Sequence, residues 1–289
     1  EPATTPQPPG DPVLSVTDLH VDDDRGAEAV AGLSCTVRAG EVLGVAGVDG
    51  NGQSQLVEAV TGMREPTAGT VRYHGESMAG VSRREHIDRG IAFVPADRQE
   101  RGVVLSYDLV QNAVLGSQHD ERFAPGGRLD WHEAHAHAAA IVDDYDVRPG
   151  LPDANAEALS GGNQQKFIVG REFERDPDLV VATHPTRGVD IGSTEFIHER
   201  LLELRADGAA VLLVSSKLDE VQGLADRLAV IHEGTFSGVV DPATITEEEI
   251  GLLMAGETIT PGAVTDATVH DDASAPSRGR GEPDAEVDA

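Results

Sequence analysis

Between a short apolar run, Glu41–Ala46 (EVLGVA), and an amphipathic stretch, Ser54–Thr61 (SQLVEAVT), the chain reads GVDGNGQS from Gly47 to Ser54. Gly47, Gly50 and Gly52 let the backbone take positive φ and turn successive N–H groups toward one point. A buried strand, a Gly-rich loop and a helix, in that order, form the unit from which parallel α/β sheets are built. The loop has the frame of a phosphate-binding loop, G-x-x-x-x-G-K-[ST], with Ser54 in place and Gln53 where the lysine belongs. Its N–H cradle can still meet a phosphate. Charge-assisted contacts are about twice as strong as neutral ones, so the loss of the cation predicts weakened, not abolished, binding.

A second anion-reading element stands at 159–166, LSGGNQQK. A Ser-Gly-Gly turn opening a helix presents free N–H groups and the positive end of the helix dipole. An apolar strand at Leu179–Thr183 follows, then the loop Pro185–Asp190 (PTRGVD) and a last strand ending at Ser215. In content, order and spacing the two elements resemble the nucleotide-binding domain of ABC transporters, over roughly residues 13–256. The GVDGNGQS loop looks like the second, degenerate half of the tandem ATPase subunit of sugar and nucleoside importers.

The expected fold class is α/β. The resemblance implies a P-loop NTPase core, with a mostly parallel sheet flanked by helices. To this it adds an N-terminal antiparallel β subdomain and an inserted helical subdomain at roughly 99–175. The residue patterns agree. Val13–Leu19 and Ala29–Val37 alternate as half-exposed antiparallel strands do; Thr70–Tyr73 and Ile91–Val94 read as short strands. Asp130–Asp143 and Gly162–Glu174 read as helices, the first capped by Asp130, and Ser193–Arg205, Ala210–Ser215 and Leu218–Ala225 continue as helix, strand, helix. Residues 1–12, Pro-rich and without apolar period, read as a linker, and 257–289 as a disordered acidic tail. The chain does not begin with Met, which suggests that a preceding domain joins at this linker.

The resemblance implies ATP and Mg²⁺ as ligands. Gly47, Gly50, Asn51, Gly52, Gln53 and Ser54 would hold the nucleotide, with Ser54 a weak Mg²⁺ ligand. It also implies a head-to-tail dimer, in which Ser160, Gly161, Gly162 and Gln164 close in trans over the partner's ATP while Gly188 and Asp190 line the seam. No catalytic position of the family is intact here. Gln53 replaces the lysine, Ala96 the glutamine that contacts magnesium and water, Thr183 the metal-holding aspartate, His184 the glutamate that polarises water, and Ser216 the switch histidine. No aromatic stands near Val21–Asp24 to stack an adenine. Phosphoryl transfer rests on positioning and charge neutralisation, so negligible hydrolysis by this domain alone is expected. Partners implied are a second ABC ATPase domain, in the N-terminal half of the same polypeptide, transmembrane permease subunits and, indirectly, an extracellular solute-binding protein. The place implied is the cytoplasmic face of the membrane, peripheral through the permease, and the work ATP-driven uptake of a sugar or nucleoside-like solute. The competing readings are a soluble, non-transport ABC protein and a structural half-dimer that binds no nucleotide.

Composition narrows these further. The formal net charge is −29, and of 22 basic residues only Lys166 and Lys217 are lysine. No basic patch exists to neutralise a nucleic-acid backbone, so nucleic acid is excluded as a partner. Cys35 alternates with polar neighbours and reads as a buried strand residue, so a cytosolic protein without disulfides is expected. No apolar run reaches membrane-spanning length and no signal peptide is read. His132, His135 and His137 (HEAHAH) lack metal-ligand spacing and read as a solvated helix face. Acidity spread through a lysine-poor body points to a salt-loving source, in which screening offsets self-repulsion. The expected outcome is a higher thermal midpoint in molar KCl than in low salt; an unchanged or lower midpoint would return the chain to an ordinary acidic protein.

Overall fold

The computed structural model describes residues 8–257 and 259. The first seven residues and nearly all of the acidic tail lie outside them. In chain order the elements are β1 (Pro12–Asp22), β2 (Glu28–Arg38), β3 (Val42–Ala46), α1 (Gln53–Val60), β4 (Ala68–Tyr73), β5 (Glu76–Ser77), α2 (Arg83–Asp88), β6 (Ile91–Val94) and α3 (Leu109–Ala113). Then come α4 (Trp131–Asp144), α5 (Gly161–Phe173), β7 (Leu179–Thr183), α6 (Ile191–Ala206), β8 (Ala210–Val214), α7 (Leu218–Leu224), β9 (Arg227–His232), β10 (Thr235–Val240) and α8 (Glu247–Met254).

Two sheets result. One is antiparallel, in the order β2-β1-β4-β5; the other has the order β10-β9-β3-β8-β7-β6. In the second, β3 pairs in parallel with β8 and β9, and β7 with β6 and β8; only β10 runs antiparallel. Strands β3, β6, β7 and β8 are buried at every residue, which is why they read as continuous apolar runs and not as alternating ones. Helix α7 lies directly on β3: a Cβ at Gly44 would fall 2.3 Å from a Val221 methyl and 2.9 Å from the Ala225 methyl. Only glycine permits that approach.

The expected strand ending at Ser215 is not the last. The chain returns through β9 and β10, and the turn between them supports the Gly-rich loop. The expected linker also reaches into the fold: Gly10 donates its N–H to the Ala39 carbonyl, and Pro12 opens β1.

Within the helical segment, Asp130 caps α4 by accepting from the N–H groups of His132 and Glu133. His137 is not on a solvated face. It is 6 % exposed and packs on Phe123 at 5.1 Å between ring centroids. Burial pushes its pKa down to about 4. The helix needs an inward residue at that turn, and His137 fills it. Cys35 is buried in β2 as expected, its thiol pushed by burial up to about 12.

At the far end of α5, the buried Glu172 carboxylate accepts from Arg171 Nε at 3.0 Å, Arg175 Nη1 at 3.2 Å and the Phe93 N–H of β6 at 3.3 Å. Arg175 and Arg171 continue to the carbonyls of Leu115 and Asn112. One carboxylate thus ties α5, the central sheet and the segment around α3. Burial alone would raise its pKa; Arg171, Arg175 and the Phe93 N–H outweigh this and hold it below the usual carboxylate range. The ionised form therefore adds stability above the unfolded carboxylate value, ~4.3, and that stability is lost as pH falls through the lower folded value. Glu172→Gln is expected to cost about 3–5 kcal/mol, because two buried guanidinium groups lose their counter-charge. The variant's stability should also lose the part of its acid dependence below ~4.3 that Glu172 supplies. Urea unfolding at neutral and acid pH measures both.

Candidate functional site

The carboxyl ends of the parallel strands converge on one polar surface, where α/β sheets place their ligands. The loop after β3 supplies Gly47–Gly52. Gly50 and Gly52 sit at φ +94° and +103°, and a Cβ on Gly52 would lie 2.3 Å from the Ala29 carbonyl oxygen. The Val48 carbonyl accepts from both the Asn51 amide, at 2.8 Å, and the Gln53 amide, at 2.9 Å. Asn51 also accepts the Glu233 N–H at 2.8 Å through its side chain and the Gly234 N–H at 3.1 Å through its carbonyl. The β9–β10 turn therefore braces the loop from outside.

Gln53 folds into the loop: its Nε2 would stand 2.8 Å from a Cβ on Gly47, and its Oε1 is buried without a partner. A cradle with no room for a Cβ at Gly47 or Gly52 suits the close approach of a phosphate-bearing ligand, whereas the orphaned Gln53 Oε1 is an acceptor and must turn away from an anion. Neither offers a fixed cation. Ser54 is exposed at the start of α1.

Ala96 follows β6 and Thr183 ends β7, its hydroxyl buried without a partner. No group of three or more His, Cys, Asp or Glu that could hold a metal occurs among the described residues. His184 sits at φ +44° with Nε2 3.9 Å from an Asp49 carboxylate oxygen. Its Nδ1 accepts the Ser216 N–H at 3.4 Å, so the ring proton belongs on Nε2. Burial pushes its pKa below 6.5, against the pull of Asp49. In this arrangement the Nδ1 lone pair is directed at the Ser216 N–H.

The signature turn is separate and well built. Ser160 caps α5, accepting from the Asn163 N–H at 3.4 Å and its side-chain amide at 2.9 Å. Gly162 packs on Asp190, a Cβ there falling 3.0 Å from the carboxylate; Asp190 in turn caps α6 through Ser193. Gln164 is buried and donates to the Ala156 carbonyl at 3.0 Å, so it supports the turn from behind while Ser160 faces outward. Arg98 was not singled out by the sequence patterns. Its guanidinium donates to the Arg187 carbonyl at 2.9 Å and lies 2.5 Å from where a Gly161 Cβ would stand, joining the signature to the Gly188 loop.

Residues 30–187 match the family described as ABC transporter. The chain belongs to the ABC transporter family. It is 46% identical over 250 residues to the guanosine import ATP-binding protein NupO of Bacillus subtilis, covering 86% of this chain and 49% of that one. It is 44% identical over 260 residues to the glucose import ATP-binding protein TsgD13 of Haloferax volcanii, covering 88% and 47%. The chain thus spans about half the length of the curated relatives it matches. A nucleotide-free ATP-binding cassette from an ABC transporter has the same fold, with TM-score 0.67 at 22% identity over 85% of this chain and 96% of that one. A dimeric cassette with ADP and Pi superimposes with TM-score 0.69 at 19% identity, over 79% and 98%. No helix among the described residues of this ABC domain is long and apolar enough to cross a membrane.

The geometry at His184 yields a direct measurement. Its imidazole is expected to titrate below 6.5 and to carry its neutral-form proton on Nε2. Long-range ¹⁵N–¹H NMR correlations across a pH series read both. A midpoint above the free-histidine value, or an Nδ1–H tautomer, would leave the ring free to act as a base.

Proposed function

We propose that this chain is the degenerate ATP-binding half of an importer's energising subunit, holding nucleotide in its own loop without hydrolysing it and completing the hydrolytic site of a second ABC domain. The observation that carries this reading is one of contrast. The Ser160–Gly162 turn is capped and braced by Gln164, with Ser160 open to solvent. The chain's own site has a neutral Gln53, a buried Thr183 hydroxyl and a His184 already committed as an acceptor. N–H dipoles fixed in advance stabilise developing charge on a transferring phosphoryl group without reorganising. That is what an intact turn offers to a triphosphate held opposite it.

Gly47, Gly50, Asn51, Gly52, Gln53 and Ser54 are assigned to this chain's own nucleotide, and Ser160, Gly161 and Gly162, supported by Gln164, to the partner's. Mg²⁺ would accompany ATP in the partner's site; here only the Ser54 hydroxyl offers it a ligand. Gly188 and Asp190 are assigned to the seam. The half-length match to import ATP-binding proteins supports a second ABC domain on the same polypeptide, with the residues before Gly10 as the joining linker and 257–289 as a tail. Membrane permeases and an external binding protein complete the assembly at the cytoplasmic face, and the cargo is a nucleoside or sugar. A relative from Haloferax volcanii supports the salt-loving reading of the acidic surface.

ATP turnover of the assembled transporter tests the assignment. Ser160→Arg or Gly161→Asp should reduce turnover by about 10² or more, the scale of removing one oxyanion donor, with the assembly intact. Gln53→Ala should be far milder. If Gln53→Ala stops turnover and Ser160→Arg leaves it near wild type, the hydrolytic site lies on the other side of the dimer.

A further inference from the structure

A cavity of ≈ 150 Å³ opens beside the Gly-rich loop, lined by Asp49, His184, Arg187, Ser215, Ser216, Lys217 and Glu220. Its residues come from three strand ends, after β3, β7 and β8. Lys217 is one of two lysines in the chain. The other, Lys166, pairs with Asp146 at 3.5 Å. The Lys217 ammonium instead donates to the Thr186 hydroxyl at 3.1 Å and the Thr186 carbonyl at 3.3 Å, both neutral. An ammonium has three donors, so one remains. Among the described residues neither Lys217 nor Arg187 has an ion-pair partner, in a chain with 51 acidic residues against 22 basic ones.

The remaining groups are sorted the same way. His184, with its proton on Nε2, is a donor, and the exposed Ser216 hydroxyl can donate. Glu220 is engaged on both oxygens: Thr186 Oγ1 donates to Oε1 at 2.6 Å, with His198 Nε2 3.0 Å from the same oxygen, and Ser215 Oγ donates to Oε2 at 2.5 Å. Only Asp49 is a free acceptor, and its side chain is 73 % exposed at the rim, able to turn into water. Magnesium asks for the reverse, oxygen ligands in octahedral array with one or two carboxylates. Two cations face two carboxylates here, one engaged by three donors and the other at the rim, so the groups left without a partner inside the cavity are mainly donors and suit an anion.

We propose that this cavity holds the terminal phosphate of a nucleoside triphosphate directly, through Lys217, Arg187 and His184, without a magnesium ion. The proposal rests on the reading that this chain's own loop holds nucleotide. It supplies what Gln53 cannot: the fixed positive charge enters from the loop after β8, opposite the Gly-rich loop. The site then distinguishes triphosphate from diphosphate, because the cations reach only the last phosphoryl group. Hydrolysis is not implied: His184 Nδ1 is engaged by the Ser216 N–H, and Asp49 stands at the exposed rim.

Calorimetric titration of the chain with ATP and with ADP, each in excess Mg²⁺ and in EDTA, tests this. ATP is expected to bind about tenfold or more tightly than ADP, with EDTA changing the ATP affinity by less than about twofold. Lys217→Met should weaken ATP about tenfold and ADP less than about twofold, and Lys217→Arg should restore most of the difference. Asp49→Asn should leave ATP binding unchanged or tighter. Lys217 is exposed, and an unchanged melting temperature verifies that each variant folds. Loss of ATP binding in EDTA, or an ATP-to-ADP ratio untouched by Lys217→Met, overturns the phosphate site alone. Failure of the wild-type chain to bind either nucleotide overturns the nucleotide reading and the proposal together.

Discussion

The central strands are buried on both faces, and the rest of the molecule follows from that. A strand with helices above and below it has no solvent-facing side chains with which to do chemistry. Function is pushed to the loops where the strands end. Parallel pairing of β3 with β8 and of β8 with β7 sets those ends side by side. Residues at 47–53, 183–187 and 215–217 therefore meet at one surface, although up to about 170 positions separate them. The close seat of α7 on Gly44 belongs to the same constraint: it brings the start of α7, and with it Lys217, to the mouth of the Gly-rich loop.

Two anion-reading elements stand apart on the molecule. The Ser160 turn has its cap, its glycines and the Gln164 support beneath it. The Gly-rich loop has its backbone cradle, with Lys217, Arg187 and His184 around the cavity beside it. Thr183 is the last, buried residue of β7, and His184 follows it into the loop. The scaffold beneath is held by the buried strands and by the Glu172 ion-pair cluster.

Arg98 and Glu172 show how the signature is mounted. Arg98 approaches Gly161 from one side and reaches the Arg187 carbonyl. At the other end of α5, Glu172 holds two arginines and the β6 backbone. The helix is thus gripped at both ends, by one cation and one anion. At the Glu172 end, its position relative to the sheet is set by a buried carboxylate and its arginines, which cannot be left unpaired cheaply.

By itself the sequence determined the local elements and the two anion-reading frames. Runs such as VLGVA and LVVAT can only be buried strands in a chain of this kind, and GVDGNGQS and LSGGNQQK announce their turns through glycine and a capping serine. It also placed Gln53, Thr183 and His184 at the positions where the family resemblance expects a lysine, an aspartate and a glutamate. Tertiary structure decided what local pattern cannot hold. That Lys217 meets Thr186, that His184 uses Nδ1 to accept the Ser216 N–H, and that Arg98 stands against Gly161 depend on strand order, which no short window records. The β9–β10 return that braces Asn51 and the inward turn of His137 were missed for the same reason. Period and composition fix how a segment folds; which segments become neighbours is fixed only when the strands pair and the core closes.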